Sequence, residues 1–178
     1  ATRLDPEYAS VWYYWGLILL DHEQAIDAAA MLRRASELDP ERVEIRIELG
    51  ETLLRIGEPA EAVSYLEVAA ELAPDDPDVR HLLGRGLVMT GELQRAIPHL
   101  QRAVELDPEF ILPRRLLAIT LEQLGERDAA RVQFLALLEL LPPDSAEAFV
   151  LRDRLDRPRS PLRRPNVDGK SQILTPNF

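Results

Sequence analysis

Apolar residues recur along the chain at helical spacing. Trp12, Trp15 and Leu19 fall three and four residues apart, and Ala28, Leu32 and Ala35 repeat that spacing shortly afterwards. Each set lies on one face of an amphipathic helix, so the pattern predicts two helices in succession. The pattern then returns on a fixed ruler. Leu4-Asp5-Pro6 recurs at one constant interval as Leu38-Asp39-Pro40, Leu72-Ala73-Pro74, Leu106-Asp107-Pro108 and Leu140-Leu141-Pro142. Gly16, Gly50, Gly84 and Ala118 form a column of small residues on the same interval, as do Ala28, Ala62, Ala96 and Ala130. Ala35, Ala69 and Ala103 form a third, broken by Leu137. Large apolar columns run between them: Trp15, Leu49, Leu83, Leu117; Leu19, Leu53, Leu87, Leu121; and Leu32, Leu66, Leu100, Phe134. A period of this length, thirty-four positions, marks a chain built from repeated supersecondary units.

Breaks fall at constant phase. Gly57, Gly91 and Gly125 separate the two helices of successive periods, and Asp21-His22-Glu23 takes that place in the first. Glycine there supplies the positive φ of a helix C-terminus. The proline column ends the second helix, because proline cannot continue a helix and disfavours helical geometry in the residue before it. The small columns let two helix backbones approach closely. Each period is then a helical hairpin, and its neighbours stack to bury its other face. Pro98 falls inside a second helix, where a lost backbone bond predicts a small bend.

Trp12-x-x-Trp15-Gly16-x-x-Leu19, then Ala28-x-x-x-Leu32, then Pro40, resembles the tetratricopeptide repeat pattern, whose period has the same length. The resemblance implies an all-α fold, a right-handed superhelix (solenoid) of four helix-turn-helix repeats at residues 9–42, 43–76, 77–110 and 111–144. Residues 1–8 have the phase of a repeat's last residues, so the chain is expected to start just after, or to be cut from, an earlier repeat. Beyond Pro142, Ser145 is placed to cap a last helix within residues 145–156. Phe149 and Leu155 are expected to pack on the array while Arg152, Asp153 and Arg154 face water. Residues 157–178 form a basic, proline-rich tail.

In the resembled family the first helix of each repeat contributes to a concave wall, against which an extended or helical segment of a partner protein lies. Carried over column by column, that peptide-binding groove comprises Tyr13, Tyr14 and Leu17; Glu44, Ile47, Glu48 and Glu51; His81, Leu82, Arg85 and Val88; Arg115, Leu116 and Ile119; and Phe149 and Val150. Some family members clamp a terminal carboxylate with Lys and Asn on this wall. The corresponding columns here hold Tyr13, Leu17, Glu48, Asp78 and Leu82, which do not support such a clamp. Aromatics at one end, three glutamates and two arginines instead suit a peptide with apolar anchors and at least one basic residue. The first helix, with Trp12, Tyr13, Tyr14, Trp15, Leu17 and Leu20, is apolar nearly all round and is expected to be buried on several sides.

Composition narrows the classes further. The formal charge is -10, and from Asp156 onward the chain is +3, which leaves -13 on the body. An acidic body argues against binding a nucleic-acid backbone, which requires clustered Lys and Arg. All basic residues but Lys170 are arginine, which we read as a base-composition bias typical of a bacterial genome rich in GC. With no cysteine, thiolate metal sites, cysteine nucleophiles and disulfides are excluded. His22, His81 and His99 lack the short spacing of a zinc pair. Gly84-Arg85-Gly86 lies inside a predicted helix and so cannot cradle phosphate. No nucleophile, base and orienting group come together, so neither catalysis nor a cofactor is expected. The longest apolar run, Val11 to Leu20, is about half of what spans a bilayer, which predicts a soluble protein of the cytoplasm or periplasm.

The reading is a non-catalytic protein-interaction scaffold. Two others are a self-assembling module, joined through the tail in a groove or through the first repeat, and the regulatory arm of a larger enzyme. The tail carries the charge that complements the acidic body, together with Ile173, Leu174 and Phe178 as apolar anchors.

Overall fold

The computed structural model describes residues 6–156. Among them the chain is entirely helical, in four antiparallel pairs and a last single helix. The pairs are α1 (Pro6–Asp21) with α2 (Ala25–Leu38), α3 (Val43–Ile56) with α4 (Pro59–Leu72), α5 (Pro77–Met89) with α6 (Leu93–Leu106), and α7 (Ile111–Gln123) with α8 (Arg127–Leu140). Helix α9 (Ala146–Asp156) closes the row. Each pair packs on the next through its second helix and the following first helix. The first described helix begins at Pro6. The tail from residue 157 lies outside the described residues.

One turn closes every hairpin. The N–H of Gln24, Glu58, Glu92 and Glu126 reaches back to the carbonyl of Leu19, Leu53, Leu87 and Leu121, at 2.8–2.9 Å. That six-residue closure needs one residue in the left-handed region, which glycine enters without a Cβ clash. Gly57, Gly91 and Gly125 take φ of 81°, 84° and 83°, and Glu23 takes 60° in the first hairpin. The starts are also chemically specified. Asp76 accepts hydrogen bonds from the Asp78 and Val79 N–H groups at the head of α5, and Ser145 accepts one from Ala148 at the head of α9. Helix α6 continues across Pro98, which lies on its exposed side.

Inside the first three hairpins the small column faces a leucine. A methyl group built on Gly50 would sit 2.6 Å from Leu66, one on Gly84 would sit 2.6 Å from Leu100, and one on Gly16 would sit 2.8 Å from Leu32. The glycines thus make room for a fully buried side chain rather than for a neighbouring backbone. Leu49, Leu53, Leu66, Leu87 and Leu100 are wholly buried and belong to one core that runs through the stack. Burying each such leucine stabilises the fold by about 1.5–3 kcal/mol.

Two polar ladders run beside this core. Arg46, Arg80 and Arg114, one period apart, donate to the carbonyls of Pro40, Pro74 and Pro108 respectively, at 2.6–3.0 Å. They tie the turn between pairs to the helix that follows it. Along the second helices, Arg33 pairs with Glu61 at 2.7 Å, and Glu67 pairs with Arg95 at 2.6 Å in the same columns with the charges exchanged. Such solvent-exposed pairs add little to stability.

The ends depart from expectation. Val11, Tyr14, Trp15 and Ile18 are 50–60% exposed, so α1 has a bare face and is not buried on several sides. In α9, Ala148 and Leu151 are the buried residues, Leu155 packs partly on the core, and Phe149 stands 72% exposed instead of packing on the array. Arg152, Asp153 and Arg154 are exposed as expected, and Arg154 also pairs with Glu122 and lies 4.7 Å over the Phe134 ring.

The glycine–leucine interlock is open to measurement. Gly84→Ala adds a methyl against Leu100, and overpacking outweighs the gain in helix propensity, for a net loss of about 1–2 kcal/mol. Urea unfolding followed by circular dichroism reads this as a lower midpoint at unchanged slope. A higher midpoint would show that Leu100 moves aside without strain.

Candidate functional site

Among the first helices, α3, α5 and α7 touch in succession, Arg42 at the head of α3 lies over Tyr13 of α1, and Arg115 of α7 pairs with Glu147 of α9; the side chains along this row form the candidate wall. Residues one period apart in sequence become neighbours there, which is why the wall is a set of columns. Tyr13, Leu17, Ile47, Glu48, Arg85, Val88, Arg115, Leu116 and Ile119 are half-buried, and Tyr14, Glu44, Glu51, Phe149 and Val150 are exposed. His81 and Leu82 are corrections. They are 8% and 6% exposed, packed between neighbouring first helices, and offer a ligand no surface. The His81 ring meets Phe110 edge-on at 5.3 Å.

Neighbouring groups sort the remainder. Arg115 forms an ion pair with Glu147 at 2.6 Å, so it is not a free cation on the wall. Tyr13 has the Arg42 guanidinium 4.8 Å over its ring, and Arg42 also pairs with Glu44 at 3.7 Å. The other acids have no such partner. Among the described residues no cation forms an ion pair with Glu48, Glu51 or Asp78. Burial first, and then the Glu51 charge, raise the Glu48 carboxyl above the ordinary carboxylate range. Asp78 is raised by burial and then by Asp76, Glu51 and Asp107. Tyr13 is raised by burial and by the Glu48 charge. This part of the wall therefore holds negative charge in a partly dry setting, where each acid disfavours ionisation of its neighbours.

Asp78, which the sequence placed among the clamp columns of the wall but not among the groove residues, belongs with these acids. It stands one period after Glu44 and so shares its column, which is the signal that finds it. The arginine column at Arg46, Arg80 and Arg114 was equally visible in the spacing. Its role was not, because the carbonyls it binds belong to the preceding turn.

Elsewhere the molecule offers little for chemistry. His22 is exposed in a turn, and His99 lies beside Arg80 at 3.4 Å, its pKa lowered by burial and then by Arg80. A shallow cavity of about 550 Å³ opens between α4, α5 and α6, lined by Glu67, Glu71, Arg80 and His99, away from the wall. Among the described residues no three His, Asp or Glu side chains gather to hold a metal ion. None of the described helices is long and apolar enough to cross a membrane.

A family profile described as Tetratricopeptide repeat matches residues 19–86 and 87–155. No curated protein matches the chain. Among solved structures, MamA from Desulfovibrio magneticus RS-1 is 27% identical, with a TM-score of 0.71 over 78% of this chain and 76% of its own. YrrB, described as a TPR protein with an unusual peptide-binding site, is 26% identical with a TM-score of 0.69, covering 86% of this chain and 79% of its own. Another MamA crystal structure reaches a TM-score of 0.75 over 84% of this chain and 85% of its own, at 23% identity, a likeness of fold alone.

Burial of His81 has a consequence for acid stability. Its pKa is lowered to about 4 by burial and then by Arg85. In the unfolded chain it titrates near 6.5, so the stability it contributes is complete above that value and is lost as pH falls from 6.5 towards 4. Equilibrium unfolding of the wild type and of His81→Phe at pH 7 and pH 4.5 isolates the effect. The wild type is expected to lose on the order of 2 kcal/mol more than the variant. Equal losses would mean that His81 stays charged and solvated in the fold.

Proposed function

From the premise that the chain belongs to the tetratricopeptide repeat family, we propose that it is a non-catalytic scaffold that binds a segment of a partner protein along the wall of first helices. We take residues 9–42, 43–76, 77–110 and 111–144 as its repeats and α9 as their lid. The bound segment carries apolar anchors and at least one Lys or Arg. The observation that carries this reading is the half-buried Glu48, held beside Glu51 with no cation of the described residues paired to it. Several acids elsewhere in the fold are matched, Glu58 and Glu61 by Arg33, Glu67 by Arg95, Asp75 by Arg102, and Glu147 by Arg115, and Glu48 is a half-buried acid that is not. An incoming cation would complete the same pairing on the wall, at a site already stripped of part of its water.

Tyr14 lies one repeat before Glu48 in the same column and stands 58% exposed, so it supplies an aromatic anchor beside the acids. Ile47, Val88 and Ile119, partly buried on α3, α5 and α7, are the apolar contacts we assign to the bound segment. The peptide-binding site named for YrrB fits a function of this kind, and the acidic, aromatic wall gives it a chemical preference in this chain.

The test is fluorescence polarisation with a labelled peptide that carries a lysine between leucine and phenylalanine, and with a twin in which glutamine replaces the lysine. Tyr14→Ala is expected to weaken binding of the lysine peptide by about 1–2 kcal/mol. Glu48→Gln separates function from stability. It removes a charge that burial disfavours, so the melting temperature rises by up to a few degrees while affinity for the lysine peptide falls. Equal affinity for the two peptides, or a Glu48→Gln protein that binds as tightly as the wild type, would reject the reading.

A further inference from the structure

The wall changes character along its length. On α7 it is apolar, with Leu116 and Ile119 half-buried, and Val88 on α5 continues that stretch. Towards α3 it is acidic. Glu48 and Glu51 lie on α3, the Glu51 charge reaches Asp78 on α5, and among the described residues no cation forms an ion pair with any of the three. From α9 inward, a complementary occupant is therefore apolar first and basic second.

The chain leaves α9 at Asp156. Residues 157–167, which lie outside the described residues, contain Arg157, Arg159, Arg163 and Arg164 and no acid, and Leu162 directly precedes the Arg163-Arg164 pair. We infer that this segment is a resident ligand of its own wall, with Leu162 towards Leu116 and Ile119 and the arginine pair at the acids, and that it closes the site against a partner. The inference rests on the wall being the binding surface proposed above. Four arguments favour this occupant. Its residues come in the order the wall requires. Its charge is opposite to that of the body, on which -13 remains when the tail is set apart. The distance also fits. Helices α3, α5 and α7 touch in succession and Arg115 joins α7 to α9, so three steps of about 8–10 Å separate α9 from α3. Arg163 and Arg164 follow Asp156 closely enough that extended backbone, at about 3.3–3.6 Å per residue, carries them roughly 25 Å. Pro158, Pro161 and Pro165 disfavour helix and so suit such an extended path. Finally, a short tether holds its end at an effective concentration of roughly millimolar, so even a contact with a Kd of about 0.1 mM leaves only about one chain in ten open. The contact needs no residue beyond 167.

Two measurements on the full chain test the inference. The sequence has no cysteine, so a single Asn166→Cys carries one nitroxide label. Paramagnetic broadening of the amide signals is expected to be strongest at residues 44–51 and 78–88 and to fade at high salt. An isotope-labelled chain without the nitroxide, mixed with nitroxide-carrying chains, is expected to show none. Broadening in that mixture would place the tail on a neighbouring copy and overturn the contact within one chain. Absence of broadening, or broadening strongest on the second helices, would overturn it as well. The second measurement repeats the polarisation test on the chain in which Arg157, Arg159, Arg163 and Arg164 are all replaced by Gln. That variant is expected to bind the lysine peptide at least fivefold more tightly than the wild type, and equal affinity would overturn the closure. The nitroxide reads the tail with no peptide added, and the glutamine variant reads the wall without a charged tail, so failure of the tail contact and failure of the binding function are distinguishable. A lysine peptide that binds neither protein would reject both.

Discussion

The contact of a glycine on the first helix of three hairpins with a leucine on its partner sets the geometry of the molecule. Gly16 over Leu32, Gly50 over Leu66 and Gly84 over Leu100 leave no room for a Cβ, so each of these hairpins closes at the separation fixed by one buried side chain. The contact recurs in the first three periods, with Ala118 and Phe134 in its place in the fourth, so the first three hairpins close in the same way. Stacking then follows from the need to bury the outer face of each first helix, since a hairpin alone cannot do so. The left-handed turn residues and the arginines bound to proline carbonyls serve the same end. They fix how one hairpin hands the chain to the next.

A stack of this kind divides its residues into those committed to packing and those left free. Columns that face the hairpin partner or the preceding pair are filled by Leu, Ala and Gly and carry no chemical message. The remaining row of each first helix is under less of this demand, and there the sequence changes character from Tyr14 to Glu48 to Leu116, while Leu82 in the same column is buried. Glu48 and Asp78 lose part of their solvation without gaining a partner, a cost that packing alone does not explain. The bare stripe of α1 is the complementary case: residues suited to burial stand at a place where the described chain provides no cover. Both are departures from the internal consistency that the rest of the fold shows.

The sequence was most legible where a residue acts on its own helix or on its hairpin partner. The leucine columns, the positive-φ glycines and the Ser145 cap could all be read from spacing, because each depends on residues at fixed offsets. Legibility fell where the outcome depends on how neighbouring pairs are rotated. His81 and Leu82 belong to wall columns by count, yet the adjoining first helices and Phe110 enclose them. Arg115 counts as a wall cation until Glu147, on the following first helix, takes its charge. Phe149 was assigned both to packing and to the wall, and α9 packs instead through Ala148 and Leu151. The glycine column promised close backbone approach, and the structure fills that space with leucine.

Recognition, in the function proposed, belongs to the wall of first helices and is centred on its unpaired acids. Its most direct test is NMR chemical-shift mapping of the full chain during titration with the lysine-containing peptide. The account predicts shifts concentrated at residues 44–51 of α3 and 78–88 of α5, with α2, α4, α6 and α8 left nearly unchanged. Shifts centred on the second helices, with residues 44–51 unmoved, would contradict it.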